Sequence, residues 1–374
     1  MYLRRTGGAI PGRRPPGPGH GVAAGEKPVA SNPAVRLAGM MRIQQWDLAD
    51  EKTAQACYDV MLAAHEADEP VAPPMSFAVF GLYLRQDWDK IPGEVWTAAD
   101  DDGTVVGYYR MSLPDLENRD KAWGGPVVHP AARRRGTGRE LLRHEGARAE
   151  ANGRSLFTSQ VITGSPGDAF AQAVGARLDM DEIRRMQYLR DIAPGTVAAL
   201  RAAAERAAAG YSLVSWTGAI PDEYCGPMAE VFNAFNDAPH GAHEEAEIWD
   251  ADRVRERTGI FQRTGANRGY GVAAVRDADG VMAAFTGVAV DPEFPEWGFQ
   301  QLTAVTRPHR GHRLGLLVKT AMLELLASAE PKLEQIVTGN AAANDHMIAV
   351  NEQLGYRVVE PSWRFYEMPV ADMR

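Results

Sequence analysis

The sequence predicts a mixed α/β protein of two tandem domains, each with a mixed, mostly antiparallel central sheet flanked by helices. The chain has 374 residues, enough for two domains. The segment that starts at Val128 recurs at Val305, a constant offset of 177 residues (305 − 128 = 177). A repeat of this length indicates a duplicated domain rather than a solenoid unit. Hairpin signals also alternate with helical runs in both copies.

Composition excludes several classes of protein. The chain is 45% hydrophobic and 24% charged, the balance of an ordinary globular protein. Its net charge of −9 argues against nucleic acid as a partner and favours an amine-bearing one. Because no window of about 18 apolar residues occurs, we expect no membrane span. We expect Cys57 and Cys225 to be core residues, and the protein to be cytoplasmic. A homodimer is possible on the sequence alone.

The first 40 residues differ from the rest in being rich in Pro, Gly and Arg. Such a segment cannot bury enough apolar surface to order itself, so we predict a disordered tail over 1–40. No apolar stretch follows the early arginines, which excludes a secretory signal. The alternatives are an over-long start, with Met40 or Met41 as initiator, and a basic arm for an anionic partner.

The first predicted domain, 41–192, reads as strands and helices in turn. The run 41–46 alternates like a strand, and Asp47 is a suitable N-cap for the helix that follows to His65. An Asp-Asp-Asp-Gly turn joins two strands as a hairpin. The remaining predictions are the hairpin strands 94–99 and 104–111, strand 123–128, helix 139–152, strand 156–161 and a closing strand 186–189.

A linker over 193–210 and a second domain over 211–374 complete the predicted organisation. The run 197–209 consists of strong helix formers before Gly210, so we expect a helical linker. The second domain repeats the order of the first. Its predicted elements are strand 211–216, helix 221–236, hairpin strands 271–275 and 281–289, strand 296–305, helix 316–326, strand 335–340 and strand 363–368.

Two basic turns, 128–138 and 305–315, carry the strongest functional signal. Each follows a strand, contains a proline break, and leads into a helix. Glycines allow close backbone approach, arginines favour an anion, and a helix start offers unpaired N–H groups. A single turn of this kind could equally be a solvated loop, but its recurrence favours an anion site.

These turns carry a family resemblance. Arg133-x-x-Gly136-x-Gly138 resembles the acyl-CoA pyrophosphate loop of the GNAT N-acetyltransferase superfamily. In the second copy, Arg313 stands where that loop usually has its middle glycine. The helix after the second copy also resembles the superfamily, at Asn340, Asn344 and Leu354-Gly355-Tyr356. The chain as a whole is similar to tandem-GNAT proteins.

The resemblance implies acetyl-CoA as the acyl donor, inserted where the central strand bulges and splays from its neighbour. In the first copy the implied donor-binding residues are Val128, Arg133, Arg134, Arg135, Gly136, Thr137 and Gly138. In the second they are Leu302, Thr303, Ala304, Val305, Arg310, Gly311, His312, Arg313, Leu314, Gly315, Asn340 and Asn344. No metal is implied.

The resemblance also implies direct transfer to the amine of a small molecule. A backbone N–H near Ala304 or Val305 would polarise the thioester. Glu296 is the first candidate base, and the acidic segment 237–249 supplies the rivals Glu244, Glu245 and Glu247, unless that segment is merely a solvated loop.

The acid that protonates the leaving thiolate is a departure from the family pattern. Ala171 and Asn351 stand where a tyrosine is common, so Tyr356 or Tyr366 would have to serve. The leading hypothesis is an N-acetyltransferase with the second repeat catalytic. The alternative is a catalytically inactive acyl-CoA-binding sensor or interaction protein.

Overall fold

The computed structural model describes residues 35–36, 41–47, 49–85, 91–237, 241 and 243–374. The predicted disordered tail therefore lies outside the described residues, apart from a two-residue strand at 35–36. Of the helices described, none is both long and apolar enough to cross a membrane.

Among the described residues up to 207 there are eight strands and five α-helices. The strands are β1 (Val35–Arg36), β2 (Arg42–Gln45), β3 (Gly93–Ala99), β4 (Val105–Ser112), β5 (Lys121–Trp123), β6 (Pro126–Val128), β7 (Leu156–Ile162) and β8 (Arg177–Tyr188). The helices are α1 (Glu51–Asp68), α2 (Phe77–Leu84), α3 (Thr137–Ala151), α4 (Pro166–Ala173) and α5 (Thr196–Ala207). Helix α5 is the predicted linker helix.

The rest of the chain repeats this order. The strands are β9 (Tyr211–Thr217), β10 (Arg268–Arg276), β11 (Met282–Val290), β12 (Trp297–Val305), β13 (Gln335–Ala341), β14 (Tyr356–Val358) and β15 (Trp363–Pro369). The helices are α6 (Asp222–Phe235), α7 (Ala251–Arg257), α8 (Ile260–Thr264), α9 (Leu314–Ala329) and α10 (Asp345–Gln353). Short 3-10 turns precede α3 and α9.

All fifteen described strands join one mixed sheet, which confirms the predicted fold class. Its order is β1-β2-β3-β4-β5-β7-β15-β8-β13-β12-β11-β10-β9, with β6 on β4 and β14 on β8. Only β5–β7 and β12–β13 pair in parallel. The two halves exchange strands: β15 lies between β7 and β8, and β8 pairs with β13. Residues 35–374 form one compact unit, and the predicted domain boundaries stay a prediction.

Three predicted elements have different bounds for local reasons. Helix α1 begins at Glu51 rather than after Asp47, because the Asp50 carboxylate accepts hydrogen bonds from two N–H groups of the first turn. Strand β8 begins nine residues earlier than predicted, since it pairs with β15 and β13. The predicted strand 123–128 is split at Gly124 and Gly125.

The core lies on both faces of the sheet in each half. In the first half, α3 packs on the face that carries Tyr109 and Met111, and α1 and α2 pack on the face that carries Tyr108. In the second half, α5 and α9 cover one face and α6 the other. Both cysteines are buried and free, as predicted, and burial raises the pKa of the Cys57 thiol to about 12.

Candidate functional site

The first half contains a wedge where two parallel strands separate. Strands β5 and β7 pair from Lys121 to Trp123, and the Gly124 N–H still donates to the Thr158 carbonyl at 3.0 Å. Beyond this point β6 pairs only with β4. A Cβ atom at Gly124 would lie 2.2 Å from the Glu145 carboxylate, and one at Gly125 would lie 2.6 Å from Ser159 Oγ. The separation therefore depends on two glycines with no room for a side chain.

The second half separates in the same way. Strands β12 and β13 pair from Trp297 to Phe299 and then diverge. A register shift between Thr286 and Val288 marks a bulge in the neighbouring pairing of β11 with β12. The splayed central strand implied by the family resemblance is thus present twice.

The two basic turns share a backbone conformation although their glycines are in different places. Arg134 and Gly136 have φ of 64° and 93°. Gly311 and Arg313, which correspond to them at the 177-residue offset, have φ of 88° and 54°. A left-handed arginine costs roughly 1–2 kcal/mol relative to glycine. Each turn therefore tolerates one such arginine, and the Arg313 departure from the family pattern preserves the turn.

Both turns have backbone N–H groups that make no hydrogen bond within the described chain. In the described chain, nothing accepts a hydrogen bond from the N–H groups of residues 134–138 or 311–315. These groups lie at the starts of α3 and α9, where the helix dipole also favours negative charge. Each turn can therefore bind an anion such as a pyrophosphate.

Two arginines that correspond at the 177-residue offset, Arg133 and Arg310, are each held by a carboxylate that the sequence analysis did not single out. Arg133 donates to the Val128 carbonyl at 3.1 Å and to both Asp68 oxygens at 2.8 Å. Arg310 likewise donates to the Val305 carbonyl and to Asp237, at 3.3 and 2.7 Å. These two guanidinium groups anchor the turn to its strand and to the end of the first helix. The sequence signal was an aspartate at the end of α1, Asp68, and another two residues beyond the end of α6, Asp237.

A cavity of about 600 Å³ opens at the first wedge. This volume suits a small-molecule site. It is bounded by β4 on the α1–α2 face, by the two glycines of the wedge, and by Leu142, Phe170 and Ala171 on the α3–α4 face. Its lining includes no residue between 297 and 344, so the cavity belongs to the first wedge and not to the second.

The second half contributes acidic side chains to this cavity. Glu244 and Glu247 line it, and Glu244 Oε1 accepts a hydrogen bond from the buried Lys121 Nζ at 2.6 Å. Glu245 and Asn118 hydrogen-bond reciprocally at 2.6 and 2.9 Å. The acidic segment is therefore fixed against the first half. His240, a histidine of the acidic segment 237–249, lies outside the described residues.

Strand β15 also reaches the cavity, through two adjacent side chains. The first is Tyr366, whose hydroxyl donates to Asp168 Oδ1 at 2.7 Å. Burial alone would raise the pKa of Asp168, but hydrogen bonds from Gly164 N–H, Tyr366 and Gln172 outweigh it and lower that pKa. Burial and the bond to Asp168 raise the pKa of Tyr366. Tyr366 is therefore a neutral phenol beside a carboxylate.

The second side chain is Glu367, which is 1% exposed. Its Oε2 accepts hydrogen bonds from Arg177 at 2.8 Å and from His243 at 2.9 Å. Its Oε1 lies 3.9 Å from Lys121 Nζ and has no hydrogen-bond partner among the described residues. His243 is half exposed, so it links a buried carboxylate to solvent.

The structure separates the three predicted catalytic residues. Tyr366 lines the cavity, whereas Glu296 and Tyr356 do not. The Glu296 carbonyl accepts N–H groups from Glu334 and Gln335 at the closed end of the second wedge. Tyr356 is packed in the hydrophobic core, where burial raises the pKa of its phenol.

The predicted asparagines have structural partners. Asn344 caps α10 by accepting a hydrogen bond from Met347 N–H at 3.3 Å. Asn340 Oδ1 accepts one from the buried Asn351 at 2.9 Å. Asn351, at the position where the family commonly has tyrosine, thus holds α10 to β13.

Two corresponding pairs of residues distinguish the wedges. Leu142 and Trp123 line the cavity of the first. At the 177-residue offset the second has Lys319 and Gln300, joined by a hydrogen bond of 2.6 Å between Nζ and Oε1. The first wedge therefore has a leucine and an indole where the second carries a hydrogen-bonded lysine and glutamine.

Comparison with known proteins agrees with this geometry. The family model described as an acetyltransferase (GNAT) domain matches residues 92–171, which include the first wedge and its turn. A mycothiol acetyltransferase of Mycolicibacterium smegmatis (strain ATCC 700084 / mc(2)155) is 27% identical over 276 residues, covering 69% of this chain and 79% of the relative.

Solved structures extend the comparison to nearly the whole chain. A tandem GNAT protein from the clavulanic acid biosynthesis pathway, determined without AcCoA, is 30% identical with a TM-score of 0.72, covering 88% of this chain and 98% of that protein. A GCN5-related N-acetyltransferase from Sphaerobacter thermophilus, 16% identical with a TM-score of 0.60 over 88% and 96%, shares the fold. With two splayed wedges and a relative of this similarity along its length, the chain belongs to the tandem-GNAT family of N-acetyltransferases.

Proposed function

We propose that the protein transfers an acetyl group directly from acetyl-CoA to the amine of a small molecule, in the cavity of the first wedge. The observation that carries this proposal is the position of the cavity, which opens where β5 and β6 leave β7. It differs from the sequence-based hypothesis of a catalytic second repeat. The names of the relatives, one for mycothiol and one for clavulanic acid biosynthesis, support a small-molecule acceptor.

The residues at the first wedge fit the donor. The free N–H groups of 134–138 and the side chains of Arg134 and Arg135 would hold its pyrophosphate. One edge of strand β6 pairs with none of the described strands, which leaves backbone groups for the pantetheine arm. Because His129 N–H points to β4, alternation directs the Val128 N–H toward the wedge, where it could polarise the thioester carbonyl.

Two side chains of β15 would move the protons. Glu367 is suited to bind the ammonium and take its proton, since one carboxylate oxygen has no hydrogen-bond partner in the described chain and the other is linked through His243 to solvent. Tyr366 is suited to protonate the leaving thiolate, because its neutral phenol lines the same cavity. Tyr366 would thus supply the proton donor that Ala171, which lines the same cavity, lacks at the position where the family commonly has tyrosine.

The test is release of CoA in the presence of a panel of small amines, with mass spectrometry of the product. Gly138→Glu should abolish turnover, since its charge repels the pyrophosphate. Gly138→Ala is the matched control, because an added Cβ makes only ordinary contacts at 3.7–3.8 Å. The same pair of substitutions at Gly315 should leave turnover at the first wedge unchanged.

The opposite result would reassign the reaction. Loss of turnover only with Gly315→Glu would place transfer in the second repeat. Acetyl-CoA binding without turnover of any amine would favour the inactive acyl-CoA-binding alternative.

A further inference from the structure

Four polar residues form a row across the sheet on one wall of the cavity. Register pairs connect them from strand to strand: Ser112 of β4 with Trp123 of β5, Trp123 with Thr158 of β7, and Thr158 with Glu367 of β15. Register partners share a face of the sheet, and so do residues two apart on one strand. Arg110 of β4 therefore lies on the same face as these four residues. We call the five residues together the polar row.

The polar row contains buried groups that lack partners. Arg110 is 6% exposed, donates through Nη1 to Ser112 Oγ at 2.6 Å, and stacks 4.5 Å from the Tyr83 ring. Its Nε and Nη2 have no hydrogen-bond partner in the described chain, and no carboxylate there pairs with it. Three further buried atoms of the row also have no hydrogen-bond partner in the described chain, namely Trp123 Nε1, Thr158 Oγ1 and Glu367 Oε1.

Unpartnered groups of this kind indicate a ligand. A buried guanidinium without a counter-ion is strongly unfavourable, and an anionic group beside it would remove that cost. The row is also polarised: cationic and N–H donors lie on β4 and β5, and a carboxylate acceptor lies on β15. A ligand with a negative and a positive end matches this arrangement.

We propose that Arg110, assisted by Trp123, binds a carboxylate of the acceptor, so that the acceptor is an amino acid or a similar zwitterion. This inference rests on the proposed function and specifies its substrate class. The amine of such an acceptor lies toward Glu367.

The acceptor, rather than the donor, carries this carboxylate because of where Arg110 points. Helix α3, whose first turn would hold the donor, packs on the face of Tyr109. Arg110 lies on the opposite face, against Tyr83 of α2.

The experiment compares amino acids with their decarboxylated counterparts: arginine with agmatine, and lysine with cadaverine. In the wild type, kcat/KM should be on the order of 10- to 100-fold higher for the amino acid, as expected for a charge-assisted pair in a buried site. Arg110→Gln should remove that preference, because it lowers kcat/KM for the amino acid on the order of 10- to 100-fold more than it lowers kcat/KM for the amine.

Two results would overturn the inference: equal use of both members of each pair by the wild type, or an equal loss on both in Arg110→Gln. A wild-type preference for succinyl-CoA over acetyl-CoA that disappears in Arg110→Gln would assign the carboxylate to the donor instead. Retained affinity for acetyl-CoA shows that the Arg110→Gln variant is folded. If the variant does not fold, the comparison of each amino acid with its amine in the wild type decides whether the carboxylate is recognised.

Failure of the proposed function is a separate outcome. Calorimetric titration of the same pairs in the presence of CoA measures carboxylate recognition without turnover. Tighter binding of arginine than of agmatine supports the inference even if no acetyl group moves, and equal binding contradicts it.

Discussion

Replacing Lys319 with methionine should stabilise the protein at neutral pH. Lys319 is 4% exposed on α9, and its ammonium has Gln300 Oε1 at 2.6 Å and the Tyr356 ring at 4.9 Å. No carboxylate in the described chain forms an ion pair with it. Burial lowers the pKa of Lys319 to about 7. The corresponding residue of the first half is the buried Leu142, so an apolar side chain suits this position of the fold.

The size of the effect follows from the protons bound. An unfolded lysine has a pKa of about 10.4, so between pH 7 and 10.4 the unfolded chain binds more protons than the folded one. The contribution of Lys319 to the free energy of unfolding of the wild type therefore rises with pH, by up to about 1.4 kcal/mol per pH unit and by about 5 kcal/mol in all. The substitution removes this term but leaves Gln300 without its donor, a loss of roughly 1–3 kcal/mol. The variant should be more stable by about 2–4 kcal/mol at pH 7 and less stable near pH 10.

Thermal unfolding from pH 6 to 10 measures this difference. For the roughly 340 residues of the unit from 35 to 374, the unfolding entropy is about 0.7 kcal/mol/K, so 3 kcal/mol corresponds to about 4 °C in Tm. Leu142→Met is the control, because it changes the corresponding position without a titrating group. A Tm difference between Lys319→Met and wild type that did not change with pH would refute the argument.

Three further predictions concern the first wedge. Asp68→Ala should weaken acetyl-CoA binding roughly tenfold by calorimetry, because it frees the Arg133 side chain that anchors the turn; unchanged affinity would contradict that role. Tyr366→Phe should lower kcat by roughly 10²–10⁴-fold without changing acetyl-CoA affinity, whereas Tyr356→Phe, in the core, should not. Glu145 is fully buried, and burial raises its pKa well above the usual value, so its contribution to stability is present at low pH and lost as pH rises. Above about pH 5, the free energy of unfolding of Glu145→Gln should therefore rise relative to that of the wild type by up to about 1.4 kcal/mol per pH unit, as measured by denaturant unfolding. A difference that stayed constant with pH would exclude a protonated Glu145.

The sequence was most informative where local patterns decide the structure. The hairpins of β3–β4 and β10–β11, the helix α5 and both basic turns follow from alternation, turn residues and helix starts within a few residues. The 177-residue offset even identified Arg134 and Gly311 as equivalent, although only the structure shows that they share a left-handed conformation.

Contacts between distant residues were not accessible in this way. The partner of Arg133 is 65 residues away and that of Lys121 is 123 residues away. No spacing rule connects such pairs, because long-range contacts are set by the order of strands in the sheet. The sequence analysis therefore assigned Glu244 and Tyr366 to a site in the second repeat, because both residues belong to that repeat in the sequence. In the structure both line the cavity of the first repeat.

Strand exchange explains why the cavity draws on both repeats. Because β15 pairs with β7 and β8, the last strand of the chain supplies Tyr366 and Glu367 to a wedge formed some 240 residues earlier. The acidic segment after α6 then closes the same wall through Glu244 and Lys121. A fragment ending before β15 would retain the turn that begins α3 but lose both proposed proton-transfer groups. On the proposed assignment, the chemistry of the first wedge is divided between the two copies, so the proposed site requires the chain from β2 to β15.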